Sequence, residues 1–249
     1  MKPKIALRRS IKIRHSAASY ACYLLFTFIL PACTPQPHAP TKVVRTPAFN
    51  SEEFRDGKVY KLIPAESELQ IRVYRGGVLA RLGHNHIVSS RGIFGKIYRH
   101  ASIEKSGIVL TLPVESFVVD DDLLRANAGA EFDSTPSASD IADTRKNMLS
   151  AALLDAGIYP YIKMRSVKIN ERNGSVEVQI RISVKSHSQD FNINVEVQEK
   201  IDETLVISGN TKLSHADLGL TPFSILGGAI AVKEELDIDF RFIALQIAN

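Results

Sequence analysis

The strongest constraint on the fold of this chain is a two-residue alternation of apolar and polar side chains. It runs through three long segments, Val176–Lys185, Phe191–Gln198 and Glu235–Phe242, in which every second residue is Val, Ile, Leu or Phe. Because successive side chains of a β-strand point to opposite faces, each segment has one apolar face and one hydrated face. The pattern therefore predicts antiparallel strands that cover a core on one side only.

Six further segments predict additional strands: Val59–Ile63, Leu69–Tyr74, Ile87–Ile97, Ile108–Val114, Ile162–Ile169 and Leu205–Leu213. An Asn-Gly pair at positions 173 and 174 is a turn signal between two of the strands. Many strands in series without interleaved helices favour a sandwich or a closed barrel. The predicted fold class is therefore all-β.

One segment, Phe117–Tyr161, interrupts this rhythm. It contains three consecutive aspartates, a Gly/Ser/Pro-rich stretch and apolar residues at helical spacing in Ile141–Leu149. Ser139 or Asp140 could cap this helix, because short polar side chains accept hydrogen bonds from the first free backbone amides of a helix. We expect one short helix that either crosses the barrel as a lid or covers the open end of its core.

The first 32 residues have the composition of an export signal. Six basic residues precede an apolar run, Tyr20–Leu30, and the run leads into Leu-Pro-Ala-Cys at positions 30 to 33. The run is shorter than the roughly 20 apolar residues of a membrane-spanning helix, so a cleaved secretory signal is favoured over a membrane anchor. Leu-Pro-Ala-Cys resembles a bacterial lipobox, which makes Cys33 the expected lipid attachment site. Residues 33–56 are then a flexible tether, and residues 57–249 form the domain.

Charge and cysteine content argue against two classes of function for this domain. The leader holds six of the 31 Lys and Arg residues and none of the 27 Asp and Glu residues, so 25 basic residues remain against 27 acidic ones. A domain this close to neutral lacks the basic surface expected of a nucleic-acid-binding protein. The two cysteines are Cys22 in the leader and Cys33, so the domain has no thiol for a disulfide or a zinc site.

Two histidines stand directly before an apolar strand, in the sequence Gly83-His84-Asn85-His86. Residues two apart in a strand share a face, so the two imidazoles are expected to project together. Three interpretations remain open: a hydrogen-bonded structural motif, a contact with a bound molecule, or a metal site. A metal site needs a third ligand, for which His100, His215 or Asp217 are the candidates.

The remaining polar groups give weaker indications. His100, His187 and His215 are predicted to lie singly at the surface or in turns, and Asp120 to Asp122 to form a hydrated loop, with a weak calcium contact as the alternative. The sequence contains no His-Glu-x-x-His motif, no Gly-x-Ser-x-Gly motif and no phosphate-binding glycine loop. We therefore predict that the protein is not an enzyme.

Five short motifs, taken in order, resemble the YceI-like family over about Val59 to Ala244. They are Tyr60–Pro64 with Ser67, Gly92–Gly95, the helix bearing Arg145 followed by Tyr159-Pro160, Ile207–Thr211, and Asp217–Leu220 before a last strand. The Gly-His-Asn-His sequence is similar to that of a histidine-bearing branch of the family. The segment from Asp120 to Asp140 is longer than its counterpart in typical members.

The resemblance implies an extended, lipocalin-like antiparallel β-barrel with an apolar interior. Characterised relatives bind a polyisoprenoid chain in the lumen and act in the periplasm or at the envelope, which implies a non-catalytic carrier of an isoprenoid-type or quinone-like lipid. Polar groups at the barrel mouth could hold a head group, and Arg145 could offer a bidentate contact or form a salt bridge to Asp143 or another carboxylate. The predicted ligand-binding residues are His84, His86, Phe94, Arg145, Met148 and Phe240, without a bound metal or cofactor.

Two other functions are kept as alternatives. The first is a metal-binding protein or metal-dependent enzyme that uses His84 and His86. The second is an envelope scaffold without a small ligand, favoured if side chains fill the barrel. The expected location is the periplasmic side of the envelope, on the outer membrane because Thr34 and not Asp follows Cys33. A homodimer is left open.

Overall fold

A computed structural model describes residues 57–172 and 175–248, with Arg172 described by its backbone alone. The predicted signal peptide, the lipid attachment site Cys33 and the tether lie outside the described residues, as does the predicted Asn173-Gly174 turn. The described residues contain twelve strands and two α-helices.

The strands follow one another along the chain with the helices grouped between the sixth and seventh strands. The strands are β1 Lys58–Leu62, β2 Glu68–Gly76, β3 His86–Ser90, β4 Phe94–Arg99, β5 Gly107–Pro113, β6 Val118–Val119, β7 Tyr161–Arg172, β8 Ser175–Val184, β9 His187–Glu199, β10 Thr204–Ser214, β11 Ser224–Ile225 and β12 Ile230–Ile247. The helices are α1 Asp122–Ala126 and α2 Ala138–Leu149.

The sheet closes into an antiparallel barrel of eight strands, as predicted. Three of the eight barrel strands are bent and consist of two segments each: β1 with β2, β3 with β4, and β5 with β6. The barrel closes at β12, which pairs with β10 on one side and with both β1 and β2 on the other. Because the strands alternate in direction, α2 and the starts of β3, β7, β9 and β12 lie at one end of the barrel, here called the α2 end.

The single strand predicted from Ile87 to Ile97 is broken between Ser90 and Phe94. The reason lies in the close approach of the segment after β5: the Ser90 and Ser116 hydroxyls hydrogen-bond at 2.7 Å, and a Cβ on Gly92 would lie 2.4 Å from the Ser116 Cβ. Only glycine leaves room there, so the chain bends, and the same barrel strand continues as β4.

The end of the barrel opposite α2 is filled by side chains. Tyr60, Leu62, Leu205 and Ala244 are all 2 % exposed or less. The Tyr60 hydroxyl donates a 2.7 Å hydrogen bond to Glu199. This end is therefore solid.

The N-cap of helix α2 lies two or three residues earlier than predicted. Its N-cap is Ser137, not Ser139 or Asp140, and the Asp140 carboxylate at the third helical position accepts a hydrogen bond from the Ser137 amide. This reciprocal capping box explains the start, because it satisfies two backbone amides at once. Within the described residues, no helix has both the length and the apolar character needed to span a membrane.

Candidate functional site

An apolar cavity runs through the barrel between the α2 end and the filled end. Its walls are side chains that alternate inward on eight strands, with one polar residue, Thr211, among the described residues that line it. The lining comprises Leu69, Ile71, Ile97, Ile108, Leu110, Leu112, Phe117, Ile162, Met164, Val178, Ile180, Ile182, Val184, Ile193, Val195, Ile207, Thr211, Leu213, Leu218, Ile238, Phe240 and Phe242. A lining of this kind can bind hydrocarbon and offers no ionic anchor.

The cavity is narrow, with a volume of about 130 Å³. For comparison, an engineered apolar cavity of about 150 Å³ in another protein binds benzene. A long hydrocarbon chain therefore needs the lining side chains to change rotamer as it enters. The alternation that is visible in the sequence supplies this lining, because every second residue of β8, β9 and β12 points inward.

His86 lies on the inward side of the barrel wall near the α2 end. It pairs across the sheet with Val73, two residues along from the Ile71–Val88 pair and therefore on the same face, and Ile71 lines the cavity. The His86 ring, however, does not line the cavity itself. Its Nδ1 atom lies 2.6 Å from the Oδ2 atom of Asp120, whose side chain is completely buried.

Asp120 is the centre of this buried polar cluster. Its Oδ1 atom accepts hydrogen bonds from the Ile87 amide at 2.9 Å and from the Arg125 guanidinium at 2.6 Å. Arg125 also donates to the backbone oxygens of Asn85, Phe132 and Ser134. The guanidinium thus ties α1 and the chain that follows it to the beginning of β3.

The charge state of Asp120 follows from these contacts. Burial by itself raises the pKa of the carboxyl group, but the hydrogen bonds from His86, Ile87 and Arg125 and the charge of His86 outweigh it, so the pKa is lowered overall. Asp120 is therefore a carboxylate at neutral pH and balances the Arg125 guanidinium. Its φ of 56° is a left-handed conformation, in which the turn after β6 brings the side chain back onto β3.

The second histidine of the motif is brought close to the first. The ring centroids of His84 and His86 lie 6.3 Å apart, with the planes at 70°. The buried His84 Nδ1 atom has no hydrogen-bond partner in the described part of the chain. Asp140 at the start of α2 is near both rings: its pKa is lowered chiefly by hydrogen bonds from Ser137 and additionally by the two histidines.

Asn85, between the two histidines, has a structural role. Its side chain accepts a hydrogen bond from the Arg75 amide at 2.9 Å and donates one to the Glu131 carbonyl at 2.8 Å. Among residues 57–172 and 175–248, no group of three or more His, Cys, Asp or Glu side chains is arranged to hold a metal ion. The metal alternative therefore lacks a third ligand within this part of the chain.

The six residues predicted to bind a ligand occupy different places. Phe240 lines the cavity and stacks on Phe242 at a centroid distance of 5.0 Å. Met148 on α2 is buried in the core beside the cavity, and Phe94 is 44 % exposed at the start of β4. Arg145 forms its salt bridge with Glu115 at 2.8 Å, not with Asp143. Arg145 and the two histidines do not line the cavity.

One expectation about a single polar residue is wrong. Asp120 is not part of a hydrated loop, because it is buried by the His86 and Arg125 contacts described above. His215, predicted to lie at the surface or in a turn, lies in the turn after β10, where it is 5 % exposed and its Nδ1 atom is 3.0 Å from the Glu234 carbonyl oxygen. His187 is exposed, as predicted, at the first position of β9, where its Nε2 atom is 3.0 Å from the Asp217 carbonyl oxygen.

Arg125 was not identified from the sequence. The available signal was its position three residues after an acidic triplet, at the end of a Leu-Leu pair. A basic residue there reads as part of a solvated turn, and only the fold reveals that it reaches back to β3.

Comparison with known proteins agrees with this architecture. The model of the YceI-like domain family matches residues 60–244. No curated protein sequence matches the chain at a significant level.

Two solved structures share the fold at low sequence identity. One is BcnA from Burkholderia cenocepacia, with a TM-score of 0.55 and 14 % identity over 73 % of this chain and 98 % of that one. The other is a polyisoprenoid binding domain from Saccharophagus degradans implicated in plant cell wall breakdown, with a TM-score of 0.51 and 11 % identity over 76 % of this chain and 98 % of that one. With the family match extending over most of its length, the chain belongs to the YceI-like domain family.

Proposed function

We propose that the protein is a non-catalytic carrier lipoprotein of the bacterial envelope that binds an amphiphilic lipid with an isoprenoid tail. The observation that carries the proposal is the apolar cavity, which is lined by aliphatic and aromatic side chains along the barrel. Burial of hydrocarbon in such a lumen is favourable by about 0.8 kcal/mol for each methylene group. A tail of several isoprene units therefore offers a large driving force without any ionic contact.

One structural neighbour supports the same class of ligand. The Saccharophagus degradans domain with this fold is a polyisoprenoid binding domain. The cavity described here offers one hydroxyl, on Thr211, and neither an ionisable side chain nor a thiol among its described lining residues. Such a lining suits storage or transfer of a lipid, and we propose that the lipid leaves the protein chemically unchanged.

The envelope location is proposed from the sequence of the leader. A basic segment, an apolar run and Leu-Pro-Ala-Cys together favour export followed by acylation of Cys33. The test is a mass measurement on full-length protein and on Cys33→Ser expressed in a Gram-negative host. Loss of the leader and gain of a diacylglyceryl mass in the wild type only is the expected result, and an unmodified wild-type Cys33 would contradict it.

Native mass spectrometry tests lipid binding. The wild-type protein is purified from the envelope without added lipid, and we expect a bound species with the mass of an isoprenoid lipid. Ile162→Trp should reduce its occupancy at least tenfold, because the indole fills the lumen. Tyr161→Trp is the matched control, since Tyr161 is the adjacent residue and is 47 % exposed.

A second lumen variant distinguishes loss of lipid binding from loss of folding. Ile182→Phe adds less volume than Ile162→Trp and should give an intermediate loss of occupancy while far-UV circular dichroism stays that of the wild type. A wild-type protein that carries no lipid and also fails to take up isoprenoid quinones would refute the proposed function.

A further inference from the structure

Between β9 and β10, the barrel wall lacks a backbone ladder over part of its length. These strands share a hydrogen-bonded ladder only from Leu205–Glu199 to Ser208–Glu196, although β9 extends back to His187 and β10 extends on to Ser214. Over this remaining length β9 pairs with β8 alone and β10 with β12 alone, within the residues that the structure describes. The six residues Gly209–Ser214 of β10 span about 20 Å of unpaired edge.

Both ends of this opening are fixed. The ladder at Ser208–Glu196 closes it toward the filled end of the barrel. Toward the α2 end, the turn after β10 crosses to the start of β9, where Asp217 contacts His187 at 3.0 Å. A Cβ on Gly219 would lie 2.6 Å from the His187 Cβ, which shows how closely this turn packs. The gap in the ladder, here called the β9–β10 window, is therefore bounded at both ends by contacts between the two strands and the turn after β10.

A groove of about 720 Å³ lies at this window on the outer face of the barrel. It shares the residues Ile193, Val195, Thr211 and Phe240 with the lining of the lumen. The Phe240 ring forms the inner margin of the window, where a Cβ on Gly209 would lie 2.8 Å from it. The apolar interior and the polar exterior thus meet across these few side chains.

The outer part of the groove is polar, and several of its groups are unused. The side-chain amides of Asn192, Asn194 and Asn210 line it and form no hydrogen bond with any described residue. By contrast, Asp120 at the α2 end is already paired with His86 and Arg125. Amides without partners can bind a ligand without first breaking an internal hydrogen bond.

The charges in and beside the groove balance. Asp239 pairs with Arg72, and Glu68 lies 3.5 Å from Arg91. Of the charged lining residues this leaves Glu196 and Arg241, one of each sign. A phosphate or diphosphate is held in proteins by a surplus of cationic groups, which this groove does not provide.

We propose that the tail of the lipid enters the lumen through the β9–β10 window and that the groove outside holds the head group, which is uncharged and hydrogen-bonding, such as a quinone ring or a hydroxyl. This inference rests on the proposed function, since the window serves a ligand only if the lumen holds a tail. The side-chain amides of the groove then form hydrogen bonds with the head group, while the tail displaces the lining side chains of the lumen.

The entry route is tested by blocking the window. Asn210→Cys in the full-length, acylated protein is labelled with a bulky maleimide, and loading with a long-chain isoprenoid quinone is followed by native mass spectrometry. We expect the label to slow loading at least tenfold relative to the same Asn210→Cys variant without the label, so that the effect of the bulk is separated from the loss of the Asn210 amide. Lys96→Cys with the same label, on β4 across the barrel, should load normally. Wild-type loading rates in labelled Asn210→Cys would overturn the route.

The head-group class is tested with two ligands of equal tail length, one ending in a hydroxyl and one in a monophosphate. We expect the alcohol to bind at least tenfold more tightly, and Glu196→Lys to narrow the difference whereas Glu171→Lys, on β7, does not. Equal or tighter binding of the phosphate would overturn the assignment. If neither ligand nor the quinone binds the wild type, the proposed function itself fails, so the two failures are distinguishable.

Discussion

The α2 end and the β9–β10 window are both rich in polar groups, but the groups are used in opposite ways. At the α2 end, the buried Asp120 carboxylate binds both His86 and Arg125, which are themselves largely shielded from solvent. At the window, the side chains of Asn192 and Asn210 face a groove and bind no described residue. Histidine, aspartate and arginine, which suggest a functional site when seen in a sequence, can thus stabilise the fold, while asparagine side chains can be the groups available to a ligand.

The difference has an energetic basis. A buried carboxylate that is fully hydrogen-bonded is costly to disturb, because any new partner must replace contacts already formed. Exposed amides next to an apolar opening exchange water for ligand at little cost. We therefore expect changes at the α2 end to lower stability and changes at the window to alter ligand binding, and four predictions separate the two regions.

The largest effect is expected from Asp120→Ala. Its removal leaves the Arg125 guanidinium buried without a counter-ion, which costs about 3–5 kcal/mol in the free energy of unfolding. Urea unfolding followed by circular dichroism measures the loss, with Asp122→Ala on the exposed side of α1 as the control. The folded fraction of Asp120→Ala should bind lipid like the wild type. An equal stability of the two variants would show that the cluster does not hold this end together.

The second prediction concerns the pH dependence of the same cluster. Because the pKa of Asp120 is lowered in the folded protein, its contribution to stability is present above the ordinary carboxyl pKa of about 3.9 and is lost as pH falls through the folded-state value. The wild type should therefore be more stable than Asp120→Asn at pH 7, and the difference should shrink below about pH 4. Unfolding midpoints at a series of pH values measure it, and a difference that is constant with pH would contradict the ionic role.

A smaller effect is expected from Gly209→Ala at the window. The added Cβ would meet the Phe240 ring at 2.8 Å and the Asn194 carbonyl oxygen at 2.9 Å, so a cost of about 1–3 kcal/mol is expected together with slower lipid loading. Gly157→Ala is the control, because nothing lies within 4 Å of a Cβ there. Loading that is unchanged while stability falls would separate Gly209 from the route.

The smallest stability effect is expected from Asn192→Ala with Asn210→Ala. Neither amide has a partner in the described chain, so the free energy of unfolding should change by less than about 0.5 kcal/mol. Affinity for an isoprenoid quinone should nevertheless fall threefold to tenfold, measured by titration in native mass spectrometry. Wild-type affinity in this double variant would show that the head group does not bind in this groove.

The strand pattern predicted the all-β class because its information is local, whereas the choice of a barrel over a sandwich came from the family resemblance. Alternation in β8, β9 and β12 follows from the geometry of single strands, and the inward position of Phe240 follows with it. The start of α2 at Ser137 was missed because two further polar residues compete as caps within three positions. The break before Phe94 depends on Ser116, which the local pattern cannot reveal.

The two polar regions were less accessible to sequence reasoning because they depend on contacts between distant segments. Burial of Asp120 requires β3 and the turn after β6 to meet, and nothing in the acidic triplet distinguishes this residue from its neighbours. The window arises because the β9–β10 ladder stops at Ser208, although the alternation continues through both strands. A hydrogen-bonded edge and an open edge have the same sequence period.

The strand β12 also determines when the barrel can be completed. Since β12 joins β10 to both β1 and β2, a nascent polypeptide that ends before Ile230 leaves these three strands with open edges. Such intermediates invite misassociation with other chains, and contacts between segments this far apart form slowly. We expect the barrel to stay incomplete, and the polypeptide to depend on chaperones, until synthesis has passed Ile247.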